Sequence, residues 1–119
     1  MKIYNFSKEV GNGITMYDSQ FVMSRILVTE KPARIGCMYL EENGVIGYHL
    51  ATVPQLLLIV SGEGWVTGAE GETVRVTAGE AVFWGAGEGH ETTTETGLTA
   101  IVIESEDLNP SLLMSEREE

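Results

Sequence analysis

The sequence predicts an all-β domain folded as a sandwich or small barrel, and three observations carry that expectation. Short runs rich in β-branched and aromatic residues recur about eight or nine times, separated by turn signals roughly every 6 to 12 residues. The chain holds 14 glycines, which suit tight turns and barrel corners. Residues 56–60 (LLLIV) are apolar at every position, so both faces of that strand must be covered, by this chain or by a second subunit.

The elements follow in order. Residues 1–17 read as a lead-in with a turn at Gly11, Asn12 and Gly13. Residues 20–29 (QFVMSRILVT) form a strand that ends before Pro32, which cannot donate to a ladder. Residues 33–40 form the next strand and stop at the Glu-Glu-Asn-Gly turn. Residues 47–51 are a short strand, and residues 55–60 a continuous apolar one stopped by Ser61 and Gly62. Residues 65–67 and 73–77 make a hairpin, and 81–84 follow the turn at Ala78 and Gly79. A glycine-rich loop, residues 85–89, delivers the chain into a strand at 90–94, and 99–104 closes the set. Asn109 followed by Pro110 marks a helix start, with proline at the first helical position, and predicts a short acidic C-terminal helix to about Arg117.

At 119 residues the chain is the size of one domain, 1–119, and can bury a core without staples. Its motif core spans about residues 35–104, with an acidic C-terminal tail at about 105–119. Cys37 is the only cysteine, which excludes an intramolecular disulfide, and it is expected as a small core residue. No apolar run at the start has the length of a signal peptide, and none elsewhere could span a bilayer, so the expectation is cytoplasmic. A net charge of −11 without any cluster of Lys or Arg speaks against nucleic acid and anionic membranes as partners. Residues 104–119 hold Glu104, Glu106, Asp107, Glu116, Glu118 and Glu119 against Arg117 alone, and read as a solvated segment.

Two histidines sit inside patterned segments. His49 lies in Gly47-Tyr48-His49-Leu50-Ala51-Thr52-Val53-Pro54-Gln55, with Gly62 seven residues beyond Gln55. His90 follows Gly79, Gly85 and Gly87. The period of two along a strand places His49 and Ala51 on one face, and a corner at Val53 and Pro54 returns Gln55 to that face from the next strand. Either histidine alone could simply satisfy a backbone carbonyl in a core. Together they read as a shared pocket.

This pattern resembles the cupin superfamily, whose first motif is G-x5-H-x-H-x(3,4)-E-x6-G and whose second is G-x5-P-x-G-x2-H-x3-N. His49 matches the first histidine, Gln55 the glutamate and Gly62 the closing glycine; Gly79, Gly87 and His90 match the second motif. Ala51 replaces the second histidine, Gly85 the proline and Thr94 the asparagine, and Gly44 stands five residues before His49 in place of six. The resemblance implies a jelly-roll-like cupin barrel. It also implies a divalent metal (Zn, Ni or Fe) held by His49, Gln55 and His90, although a neutral amide in place of the carboxylate weakens such a site. Glu91 should point away from the pocket, whereas Glu88 sits on a loop free to swing either way. Tyr48 should face away from His49, and Trp65, Phe83 and Trp84 serve packing, with room for one at the pocket mouth.

Two functions compete. The first is a small-molecule-binding cupin with a pocket of His49, Gln55 and His90, taking a small, largely apolar ligand with one polar anchor. The second is a metal-dependent cupin enzyme (oxygenase, isomerase or lyase) acting on a small organic molecule. A bare dimerisation module ranks third, because it leaves the paired motifs unexplained. No separate nucleophile or general acid stands out. The apolar run at 56–60 and the resemblance together predict a homodimer.

Overall fold

A computed structural model describes residues 1–118; Glu119, the last acid of the C-terminal segment, lies outside them. The strands are β1 (Lys2–Asn5), β2 (Asn12–Ile14), β3 (Phe21–Met23), β4 (Arg34–Leu40), β5 (Val45–Leu50), β6 (Gln55–Thr67), β7 (Thr73–Thr77), β8 (Glu80–Trp84), β9 (Gly89–Thr93), β10 (Leu98–Glu104) and β11 (Ser115–Glu116). Every pairing is antiparallel. One sheet runs β11-β1-β8-β6-β10-β4, and a second runs β5-β9-β6-β7. β6 belongs to both.

The long strand joins two runs that read in the sequence as separate, 55–60 and 65–67. A register shift opposite Thr99 and Ala100 leaves Val60 as the extra residue of a bulge, and Gly62 follows at φ +82°. Bulges bend a strand and increase its twist, which is how β6 leaves one sheet for the other. A Cβ on Gly62 would collide with the Gly97 carbonyl, so the turn needs glycine sterically as well as conformationally.

Alternation along β6 divides the core in two. Leu57 and Ile59 point into the barrel with Val66, Val76, Val82, Trp84, Leu98, Ala100 and Val102. Leu56 and Leu58 point outward, beneath Tyr4, Met114, Phe6, Ile26, Leu27 and Leu108. The second cover for the apolar run therefore comes from the chain's own two ends. Val60, the bulge residue, is the half-exposed exception.

Those ends are where structure and sequence reading differ most. The lead-in contributes β1, which adds to the first sheet alongside β8. The strand expected over 20–29 is ordered as β only at Phe21–Met23, in a small hairpin with β2, because residues 26 and 27 are used as caps on the outer core. The expected C-terminal helix is reduced to one 3-10 turn, Pro110–Leu112, followed by β11 pairing with β1. Burial of Met114 and the bonds of Arg117 (backbone N–H to the Ile3 carbonyl at 2.6 Å, side chain to Glu80 at 2.9 Å) hold this segment against the barrel. Cys37 is exposed rather than buried, since it lies on the outer face of edge strand β4 while Met38 packs inward. Among the described residues, no helix is long and apolar enough to cross a membrane.

Candidate functional site

The histidines meet because β5 and β9 pair with His49 directly opposite His90. A bulge between Ile46 and His49 sets that register. Two main-chain bonds fix the loop beyond: Ala51 N–H donates to the Glu88 carbonyl at 2.9 Å, and Gly87 N–H to the Ala51 carbonyl at 2.7 Å. Ala51, where a second histidine would stand, is buried and brings only a methyl group.

The ring centroids of His49 and His90 lie 4.3 Å apart at 60°. His49 is exposed and His90 is 1% exposed. Each ring places Nδ1 against a backbone carbonyl, Gly47 at 2.7 Å for His49 and Glu88 at 3.2 Å for His90. A carbonyl only accepts, so Nδ1 of each ring is the protonated nitrogen there, and in the neutral tautomer this selects, Nε2 keeps its lone pair. Burial, reinforced by the neighbouring His49, holds the His90 imidazole below its ordinary range, against the opposing pull of the Glu88 carbonyl and the Glu88 and Glu104 carboxylates. His90 is therefore a neutral base at physiological pH.

Trp84 stacks on His90 with centroids 4.2 Å apart and planes at 19°. It does more than pack. Trp84 Nε1 and His90 Nε2 are buried without a hydrogen-bond partner, one a donor and the other an acceptor. Gln55 opens β6 directly opposite Trp84, on the inward face with Leu57, and is 7% exposed. The structure thus links His49 to His90, His90 to Trp84, and Trp84 to Gln55 through successive neighbours.

The other acids and motif positions take definite places. Glu88 faces the N-terminus: its carboxylate accepts from the Met1 ammonium at 2.8 Å and from Gly85 N–H at 2.9 Å. Burial would raise its pKa, and these partners together bring it below the ordinary carboxylate range. Thr94 donates from Oγ1 to the Glu63 carbonyl at 2.6 Å and accepts from Gly97 N–H at 2.9 Å, tying the loop that faces Gly62.

Two residues at this end of the barrel escape sequence reasoning. Arg34, Glu104, Gln55 and Trp84 are successive cross-strand partners on β4, β10, β6 and β8. Arg34 and Glu104 share the inward face with Val102 and Met38 by alternation. A cavity of about 460 Å³ opens there, lined by Lys31, Pro32, Arg34, Val53, Glu104 and Ser105 among others. It adjoins the histidine cluster along this row and does not contain it. No group of three or more His, Cys, Asp or Glu side chains able to hold a metal ion occurs among the described residues.

The sequence matches no family model and no curated protein. Solved structures do match. A conserved protein of unknown function from Streptococcus pyogenes shares 24% identity over 71% of this chain and 74% of its own, with a TM-score of 0.59. A cupin superfamily protein from Desulfitobacterium hafniense shares 14% over 70% and 75%, with a TM-score of 0.60. A conserved protein with a double-stranded β-helix domain from Klebsiella pneumoniae shares 13% over 69% and 70%, with a TM-score of 0.59. At these identities the likeness is one of fold. Two antiparallel sheets wound around a shared strand, with paired histidine motifs at one end, give this chain the cupin fold.

Proposed function

We propose that this domain binds a small, largely apolar molecule at the end of the barrel marked by His49, Gln55 and His90. One observation carries the reading: a buried donor, Trp84 Nε1, and a buried acceptor, His90 Nε2, are left unpaired side by side. A buried polar group without a partner costs about 1–3 kcal/mol, so a ligand that pairs with either recovers that energy on binding. Leu57, Val82 and Val102 pack in the same buried cluster as Trp84, so the surroundings of these two atoms are apolar, as small-molecule sites with a few polar anchors usually are. A screen of metabolites by thermal shift and Trp84 fluorescence tests this. A ligand that stabilises the wild type but not His90→Phe supports it, and silence across the screen overturns it.

A second reading places a divalent transition metal (Zn, Ni or Fe) at the same residues, as a metal-dependent enzyme would need. Its support is that both imidazoles turn a free Nε2 away from the carbonyls that hold Nδ1, the arrangement in which histidine ligates. The donor set fits only a weak site, because Gln55 is neutral and Ala51 offers no ligand. Metal analysis of protein purified without a chelating tag separates the two readings. The working picture is of a cytoplasmic homodimer whose ligand is neither nucleic acid nor membrane, in keeping with its charge of −11.

A further inference from the structure

We infer that the cavity beside the histidines is a subsite for a short zwitterion, an α-amino acid with a small apolar side chain. Arg34 and Glu104 stand directly opposite each other across β4 and β10. Such partners hold their Cβ atoms about 4.5–5.5 Å apart on one face, so their charged ends work within one small ligand's reach. No ion pair joins them or engages either one among the described residues, whereas the rim residues Lys31 and Glu106 pair with each other at 3.6 Å. Beside that paired Lys31 and Glu106, one further cation and one further anion, Arg34 and Glu104, therefore face the same hollow.

A carboxylate on Arg34 and an ammonium on Glu104 would satisfy both, and the two charges of an α-amino acid are only a few bonds apart. Arginine suits the carboxylate because its planar fork binds two oxygens at once. An exposed Arg–Glu contact, were the two side chains to swing together, is weak and would yield to such a ligand. Net charge favours the same class. A protein at −11 repels simple anions from a distance, but a zwitterion carries no net charge and arrives unopposed. Pro32, Ala33 and Val53 form the apolar part of a lining that also carries Lys31, Thr52, Ser105 and Glu106, and that part sets the preference for a small apolar side chain. Its volume of about 460 Å³ lies within the usual range for small-molecule sites.

This inference rests on the reading of this barrel end as a binding site, though not on the imidazoles themselves. Titration of the ¹⁵N-labelled protein with L-leucine, 4-methylpentanoate and 3-methylbutylamine tests it. The Arg34, Thr52 and Ser105 amides report the hollow, and the Trp84 indole N–H reports the histidine cluster. L-Leucine should shift the hollow amides at least tenfold more tightly than either one-charge analogue. Arg34→Gln should remove that advantage, Arg34→Lys should restore part of it, and Glu104→Gln should leave L-leucine no better than 4-methylpentanoate. Unmoved hollow amides, or equal binding of all three probes, overturn the inference. If the hollow stays silent while the metabolite screen finds a ligand that moves the Trp84 indole, the zwitterion subsite falls and the proposed function stands. If the hollow responds to L-leucine and nothing moves the indole, the subsite stands and the histidine reading falls.

Discussion

His90 is both a core residue and the polar centre of the site, and the two roles make separable predictions. It is fully buried and stacked on Trp84, so truncation to alanine would open a cavity as well as remove a ligand contact. His90→Phe keeps a ring on the indole and removes the unpaired Nε2. The Glu88 carbonyl it abandons still accepts from Ala51 N–H. We expect the variant to be as stable as the wild type or up to about 1 kcal/mol more so by urea denaturation, with ligand or metal binding lost. The pH dependence follows from the depressed pKa. The unfolded chain takes up the His90 proton first, so stability is present above about pH 6.5 and declines as pH falls through that range, by at most about 1.4 kcal/mol per unit. Denaturation at about pH 7.5 and 5.5 should show the decline in the wild type and a smaller one in His90→Phe. Metal affinity gives another test at this scale: Gln55→Glu should tighten divalent binding through its charge, and adding Ala51→His should tighten it again by completing a four-ligand set. No change across the series would show that these side chains do not converge on one ion.

The same residues show how far a site can be read from sequence. The meeting of His49 and His90 was legible because motif spacing along neighbouring strands fixes their register, whereas Gln55 reaches them only through Trp84. Trp84 was ambiguous, since an aromatic residue ending an apolar strand reads as packing until its unpaired indole N–H is seen. Arg34 and Glu104 were invisible. They meet only through the β4–β10 ladder, and nothing local to residue 34 announces a partner at residue 104.

At the scale of elements, glycine positions make the sharpest prediction. Gly62 and Gly87 have nearly the same φ, +82° and +85°, but a Cβ on Gly62 would strike the Gly97 carbonyl while one on Gly87 would meet nothing within 4 Å. Gly87→Ala should therefore cost roughly 1–3 kcal/mol of backbone strain. Gly62→Ala should cost distinctly more, because strand β6 must also shift against residues 97 and 98. Equal losses in denaturant midpoint would show that the bend has room to relax. Strands bounded by turns were legible from the sequence for this local reason. The C-terminal helix was not, because its start signal at Pro110 is genuine but weak, and burying Met114 and pairing β11 with β1 outcompete one helical turn. β1 was missed for the same reason, since its partner β8 lies about eighty residues away in the chain.

At the scale of the molecule, the question is what covers the end of the outer sheet face. Leu56 and Leu58 are already buried beneath the chain's own termini, so the apolar run at 56–60 no longer requires a partner. The apolar surface continues past them, however. Ile101 and Ile103 on β10 lie opposite Cys37 and Ile35 on β4, where Ile35 is 69% and Tyr39 76% exposed. β4 is also the last strand of its sheet, with one row of backbone N–H and C=O groups unpaired. A seven-residue edge carrying Ile, Cys and Tyr on its outer face has none of the charges or prolines that normally discourage edge pairing, apart from Arg34 at its end. A second copy of the chain, related by a two-fold axis, would offer the same edge and the same patch, and so would cover both at once. The expected outcome is a homodimer in sedimentation at micromolar concentration. Tyr39→Asp or Ile35→Asp should return it to a monomer, because a charge buried without a partner costs several kcal/mol at an interface and almost nothing on a free surface. Far-UV circular dichroism and thermal melting of the separated monomer should show the fold retained, which distinguishes lost assembly from lost folding. A wild type that sediments as a monomer, or an aspartate variant that stays dimeric, would place the interface elsewhere or nowhere.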